Sequence, residues 1–292
     1  MNAYTAENLS TAENAATFLT RDGRPILIRS CHGFEELDAC VQHQIDTWGY
    51  SDGDVIPRRA FVVAQRIGGQ VIGAFDVTRV EKPEGAAENL IGFAMSLPGL
   101  QMGAAPDAAP TPYLHSHMLA VSPGYRNDGI GRQLKFFQRL EALSRGIDLM
   151  EWTFDPLEIK NSFLNIHKLG AIVRSYTSDF YGVSSSRLQG ELPTDRLHAE
   201  WHLRSARVKA VLAGNTFKPS KIEETILVPY EIGEWKSSEV DLDRARAVQT
   251  ENRQRFQEAF TRRLAVVGFH RDTQNNGIFE LAPFEHLRSD YL

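Results

Sequence analysis

Apolar positions recur along this chain in two rhythms. Short alternating or continuous runs predict strands over residues 25–30, 60–65, 71–77, 90–97, 113–121, 147–154 and 171–176. Gly68 and Gly69 fall between the second and third runs and read as a two-residue hairpin turn. Spacings of three and four predict helices instead. One carries Phe34, Leu37, Val41 and Ile45; another spans 129–145, with one stripe at Ile130, Leu134 and Phe137 and a second at Phe136, Leu140 and Leu143. Gly146 is placed to close that helix, and Gly170 to close a shorter one over 157–169. Residues 98–112, rich in Gly, Ala and Pro, read as a long loop. The polar first two dozen residues read as a loose leader or a short docked arm. Beyond about Leu203 the pattern changes to a strand at 226–230, a long helix at 241–266 with Val248, Phe256, Phe260 and Leu264 inward, and a strand at 277–281.

This order predicts an α/β fold with a mixed sheet flanked by helices. It divides into an arm (1–24), a main domain (25–202) and a C-terminal α/β subdomain (203–292). A chain of 292 residues, 42% of them hydrophobic, can bury such a core unaided. Its two cysteines, Cys31 and Cys40, exclude a disulfide framework and a four-thiolate zinc site, and read as small buried side chains. The balance of 32 basic against 37 acidic residues, −5 overall, speaks against a general nucleic-acid binder. There is no apolar run of membrane-spanning length, and residues 1–20 lack the basic start and apolar stretch of a secretory signal. A cytoplasmic protein is expected.

Chemistry concentrates in Met118-Leu-Ala-Val-Ser-Pro-Gly-Tyr-Arg-Asn-Asp-Gly-Ile-Gly-Arg132. A strand ends at Val121, a Pro-Gly turn follows, and Arg126 to Gly131 open a helix. The first amides of a helix are unpaired and carry about half a positive charge. Gly129 and Gly131 have no Cβ to hold an anion away from them, and Arg126 adds a charged rim. A P-loop needs Gly-Lys-Ser/Thr, which is absent. A dinucleotide fingerprint needs a small residue where Leu134 stands, although Glu151 lies at a distance suited to a ribose carboxylate. Arg-x-x-Gly-x-Gly after a strand fits in full. Arg132, Lys135 and Arg139 share one side of the helix and read as a solvated face.

With these flanks the segment resembles the pyrophosphate signature of the GNAT superfamily of acyl-CoA-dependent N-acyltransferases. The resemblance covers about residues 25–190. Asn161-Ser-Phe-Leu-Asn-Ile-His-Lys-Leu-Gly-Ala171 resembles that family's helix along pantetheine. Trp152 to Leu157, Asp179 to Gly182 and Leu192 to Leu197 look like a branch of bacterial members of uncertain substrate. The resemblance implies transfer of acetyl, or a short acyl such as succinyl, from acyl-CoA to a small-molecule amine. Leu119, Ala120 and Val121 would lie along pantetheine, with the amides of Leu119 and Val121 bonding it. Arg126, Asn127, Asp128, Gly129, Ile130, Gly131 and Arg132 would hold the pyrophosphate, and Asn161 would assist. The Tyr that many relatives use as acid is replaced by Ile166, which leaves Tyr176 and Tyr181 as substitutes. Glu151 is the first candidate base. Asp155, His115 and His117 are further candidates and would line the acceptor side, with 179–182 and 192–197 forming or bracing its wall and 98–112 closing over it.

Simpler roles stand beside these. Glu151 and Asp155 can be strand-end partners of basic residues, and Asn161 an N-cap. His115 and His117 share a strand face but lack a third metal ligand, so no metal is expected. His198-Ala-Glu-Trp-His202 has its Glu in the wrong place for a zinc-protease helix. Trp152, Phe154 and Trp201 read as core. The phenylalanines of the last helix read as packing, or as a subunit contact in a homodimer. Two further functions remain open: a catalytically degenerate GNAT-fold sensor of CoA or a nucleotide, and a nicotinamide-dependent oxidoreductase using Glu151.

Overall fold

A computed structural model describes residues 10–12, 15–51, 53–79, 87–102, 109–186, 189–215, 217 and 221–284. The fold is α/β, and the chain divides into two compact units, Met1–Met150 and Glu151–Leu292.

In the first unit the strands are β1 (Ser10–Ala12), β2 (Ala15–Leu19), β3 (Pro25–Ser30), β4 (Gln70–Asp76), β5 (Leu90–Gln101) and β6 (Thr111–Val121). They pair in chain order, each antiparallel to the next. Alternation along them feeds two cores. Val71, Phe75, Phe93 and Met95 join Leu37, Cys40, Phe61 and Ala64 from α1 (Gly33–Trp48) and α2 (Arg58–Arg66). Ile26, Ile28, Ile72 and Ala94 on the opposite face receive Ile130 and Leu134 of α3 (Ile130–Ser144).

Three expectations change here. Residues 15–19 of the expected N-terminal arm are a strand of the sheet, because Ala16 and Phe18 alternate into the core and β2 pairs with β3. Residues 60–65 are helical: Phe61 and Ala64, three apart, are buried, while Val62 and Val63 face outward, so packing overrides β-propensity. Gly68-Gly69 is therefore a helix-to-strand junction, and a Cβ on Gly69 would fall 2.2 Å from the Ser96 carbonyl oxygen. The expected loop at 98–112 begins and ends as ladder, with Pro98 opposite Leu114 and Gln101 opposite Thr111. Its centre, 103–108, lies outside the described residues.

The second unit holds β7 (Leu149–Phe154), β8 (Ile172–Thr177), β9 (Arg196–His202), β10 (Glu224–Val228), β11 (Leu264–Arg271) and β12 (Gly277–Pro283), in the order β7-β9-β8-β11-β12-β10. Helix α4 (Ile159–Ser162) runs into a single π turn, Phe163–Lys168. Helices α5 (Ala206–Leu212), α6 (Ile232–Lys236) and α7 (Leu242–Thr261) follow. The predicted helix 241–266 stops early because Arg263 takes φ +60° and Ala265-Val-Val continues as buried strand. The segment beyond residue 203 shares its sheet with 151–202: Val266 pairs with Val173, and buried Arg207 donates to the carbonyls of Gly170 (2.8 Å) and Val267 (2.7 Å). Trp152 and Trp201 meet edge to face in the core, and Phe256 packs on Tyr176, Phe260 and Phe279.

One buried ion cluster ties α6 to the end of β7. Lys236 Nζ donates to Asp155 (2.8 Å) and Glu158 (2.9 Å). Burial opposes its charge, but the two carboxylates together hold its pKa above the ordinary lysine value. Removing the cation would strand the buried Asp155 carboxylate. Lys236→Ala should therefore cost about 3 kcal/mol or more, read as a lowered urea midpoint; an unchanged midpoint would show the cluster to be dispensable.

Candidate functional site

The turn between β6 and α3 is built to expose amides. Asn127 (φ +70°) and Gly129 (φ +86°) both take left-handed backbone on either side of Asp128. Asparagine and glycine are the residues that tolerate this, and such a turn points successive N–H groups one way. From Asn127 to Arg132 no amide donates to an acceptor among the described residues; the first helical bond is Gln133 N–H to the Gly129 carbonyl, 3.1 Å. The N-cap offers no side chain to these donors. A Cβ on Gly129 would meet nothing within 4 Å, and one on Gly131 only a Leu119 methyl at 3.4 Å, so the space in front of the turn is open. Arg126 is exposed at the rim, its Nε 3.4 Å from the Val121 carbonyl.

Residues absent from the sequence reading brace this turn. Tyr125 donates its hydroxyl to Asp76 (2.8 Å). Arg24 stacks over the Tyr125 ring at 4.3 Å and reaches the Asp128 carboxylate at 3.3 Å, offsetting a negative charge that would repel an anion. No local spacing signals a contact across 104 residues.

At the end of β6 the Ser122 amide bonds the Ile91 carbonyl, and the Ala120 carbonyl lies against Gly92. By strand alternation the amides of Leu119 and Val121 point away from β5, whereas the backbone of Ala120 faces β5 and its side chain is buried. A bulge leaves His117 unpaired between Ser116 and Met118. The His115 and His117 rings sit 6.1 Å apart, and burial holds His117 below the ordinary histidine pKa, hence neutral at pH 7. Among the described residues no cluster of three or more His, Cys, Asp or Glu side chains is placed to hold a metal ion. The expected solvated face of α3 is corrected at Lys135. Its side chain is buried and donates to Ser116 (2.7 Å), and burial pushes its pKa well down. Arg132 stacks on Phe136 at 4.6 Å.

The second unit gathers a polar face. Glu151 and Thr153 alternate on β7 with buried Trp152 and Phe154, and His198, Glu200 and His202 alternate on β9 with buried Leu197, Ala199 and Trp201. The discounted His-Ala-Glu-Trp-His run is thus a strand whose three polar side chains share one side. Arg174 grips Glu200 through Nε (2.8 and 3.1 Å) and a terminal nitrogen (2.5 Å), and His202 Nε2 lies 3.4 Å from the same carboxylate. Burial acts to raise the Glu200 pKa, but His202 and Arg174 hold it below the ordinary value. Glu151 has no hydrogen-bond or ion-pair partner among the described residues. Burial first, and the Glu200 charge second, raise its pKa above that of an ordinary glutamate, against the opposing pull of His202 and Arg174. The Tyr181 hydroxyl lies 3.0 Å from Thr153 Oγ1.

Other candidates have different surroundings. Asp155 is buried against Lys236 and caps the Leu157 amide (2.8 Å). Tyr176 donates to Asp195, which Arg253 also holds at 2.9 and 3.1 Å; burial and that bond push its pKa well above an ordinary tyrosine. Asn161 is exposed and accepts from Asn165 (3.3 Å) rather than capping its helix, and Ile166 is fully buried.

No protein-family model matches this chain, and no curated protein matches it. Among solved structures it is similar to Arabidopsis thaliana NAA60 in complex with acetyl-CoA, with 15% identity over 61% of this chain and 99% of that one and a TM-score of 0.46. It is also similar to the ribosomal-protein-S18-alanine N-acetyltransferase from Escherichia coli, with 13% identity, 68% and 99% coverage and a TM-score of 0.43. A third is a Desulfovibrio desulfuricans protein described as an acetyltransferase of the GNAT family, with 13% identity, 61% and 99% coverage and a TM-score of 0.42.

The polar face has a testable electrostatic signature. Glu200→Gln removes a like charge beside Glu151 and frees Arg174, so both changes lower the Glu151 pKa. A carboxyl NMR titration should show that fall; an unmoved Glu151 would contradict the coupling.

Proposed function

We propose that this chain is a GNAT-type acyl-CoA-dependent N-acyltransferase. The observation that carries the reading is the row of unpartnered amides from Asn127 to Arg132, opening onto clear space between two left-handed residues. Such a row suits a diphosphate: it offers several N–H donors and a helix N-terminus at once. Arg126, exposed at the rim, adds a mobile cation. The amides of Leu119 and Val121, turned away from β5, are the donors for the amide-bearing arm of CoA and the thioester oxygen. Ala120 contributes packing only.

The transferred group is acetyl or a related short acyl such as succinyl, and the acceptor is a small-molecule amine. An alkylammonium with a pKa of about 10.4 must first lose a proton. Glu151 takes that role: its raised pKa makes it a better base than an ordinary carboxylate, and it carries no competing partner. The free amine then forms its C–N bond to the thioester carbon, and negative charge builds on the carbonyl oxygen. Collapse breaks the C–S bond, the nitrogen gives up its second proton to solvent, and the departing thiolate takes a proton from the Tyr181 hydroxyl, which solvent restores. That hydroxyl has Thr153 as its one hydrogen-bond partner among the described residues, whereas the Tyr176 hydroxyl is committed to Asp195. Positioning and oxyanion stabilisation carry most of the rate. The buried places of Asp155 and Ile166 leave them outside the chemistry.

A Glu151 base makes a signed pH prediction. The carboxylate must be deprotonated, so kcat/KM falls as pH drops through its raised pKa. In amine-dependent release of CoA from acetyl-CoA, Glu151→Gln should lose that limb and at least tenfold in rate; a variant with the wild-type profile would remove Glu151 as the base.

A further inference from the structure

Arg196, the first residue of β9, carries a charge that nothing around it balances: among the described residues it has no ion pair. Its Nη1 donates to the Gln189 side-chain oxygen (3.3 Å) and to the Asp195 main-chain carbonyl (2.8 Å), and its Nη2 donates to the same Gln189 oxygen (3.2 Å). Both acceptors are uncharged. Buried Gln189 gives its own nitrogen to the carbonyls of Leu192 (3.2 Å) and Pro193 (2.8 Å), which fixes its oxygen toward the guanidinium. The neighbouring Asp195 carboxylate is taken up by Arg253, Tyr176 and the Asp179 amide. Of the guanidinium N–H groups, Nε–H and one on Nη2 remain without an acceptor among the described residues. These two form the parallel edge that grips a carboxylate with two bonds.

Beside this cation stands a pair of exposed rings. The Arg196 guanidinium lies over the Tyr181 ring, 5.3 Å from its centre. Tyr181 meets Phe180 edge to face at 4.7 Å, and Phe180 meets His198 at 5.3 Å. Phe180 is 41% and Tyr181 46% exposed. The turn that carries them is held firmly. Asp179 takes φ +46°, a left-handed conformation costly for a residue with a Cβ. Its carboxylate accepts from the Thr194 amide and hydroxyl (3.2 Å each), and its amide donates to Asp195 (3.0 Å). Phe180 N–H donates to the Thr194 carbonyl (2.9 Å), and Tyr181 N–H to Thr194 Oγ1 (2.9 Å). Strain maintained by so many bonds, to display two rings beside an uncompensated cation, calls for a use.

We propose that Arg196, Tyr181 and Phe180 form a binding site for a small carboxylic acid carried on an aromatic ring. The carboxylate takes the open edge of Arg196 through two charge-assisted hydrogen bonds, and the ring packs against the Phe180–Tyr181 pair. The cation selects for charge and the rings select for a flat apolar body, so both parts of the ligand are needed for full affinity. The site is made of residues of the second unit alone, and its ligand can be bound without any CoA ester. It therefore holds or fails apart from the acyl-transfer reading above.

The test titrates the full chain with phenylacetate, with phenylacetamide, which has the same shape and no charge, and with acetate, which has the charge and no ring. Binding is followed by saturation-transfer NMR and calorimetry. The expected result is at least tenfold tighter binding of phenylacetate than of either partial ligand. Arg196→Gln should abolish the preference over phenylacetamide. Arg196→Lys, which keeps the charge but loses the two-donor edge, should bind phenylacetate at least fivefold more weakly than the wild type. Phe180→Leu should lose at least fivefold of the preference over acetate. No binding of phenylacetate, equal binding of phenylacetate and phenylacetamide, or a preference that survives Arg196→Gln would overturn the site. The three-ligand comparison on the unaltered chain decides the matter even if an Arg196 variant does not fold.

Discussion

Six consecutive backbone amides, from Asn127 to Arg132, donate to no acceptor among the described residues, an arrangement that is expensive unless something answers them. Each buried donor left unpaired costs on the order of 1–3 kcal/mol, and even exposed ones compete for water. The first unit places this row where strand β6 gives way to helix α3, and much of its architecture serves that junction. Gly129 and Asn127 supply the left-handed backbone, Tyr125 anchors the turn to Asp76 at the end of β4, and Arg24 balances the one carboxylate in the row. Ile130 and Leu134 then pin the first turns of the helix into the core formed by Ile26, Ile28 and Ile72. The donors are thus held by packing that has no freedom to turn them elsewhere.

The second unit solves a different electrostatic problem. It sets three carboxylates at the β7 end of its sheet and treats each in its own way. Asp155 is neutralised in the core by Lys236, Glu200 is neutralised by Arg174, and Glu151 is left half-buried and unpaired. Between Glu200 and Glu151, only Glu151 has a pKa shifted in the direction that proton abstraction needs. Environment, not residue type, separates the three.

The turn between β6 and α3 was legible in the sequence because it is local. Arg126-x-x-Gly129-x-Gly131 after an apolar strand specifies a strand-turn-helix within fifteen residues, and the structure has that geometry. Strand β3, with simple alternation, and β4, a continuous buried run, were legible for the same reason. Long-range partners were not. Nothing near Lys135 announces that a lysine between Arg132 and Arg139 turns inward to Ser116, and nothing near Asp155 announces Lys236. Residues 60–65 misled because Val62 and Val63 favour strands, while burial of Phe61 and Ala64 decides for helix. Strand β9 was missed because His198, Glu200 and His202 gave its polar side an unusual chemistry, and the pairing of β8 with β11 leaves no local mark.

The most direct test of the central claim is a calorimetric titration of acetyl-CoA into the wild-type chain and into Gly131→Val. A Cβ at this position meets only a Leu119 methyl at 3.4 Å, and the unfolding midpoint of each chain checks that the fold is retained. The account predicts saturable binding to the wild type and at least a tenfold loss in the variant, about 1.4 kcal/mol, with unfolding midpoints alike. Equal affinities, or no binding to the folded wild type, would contradict it.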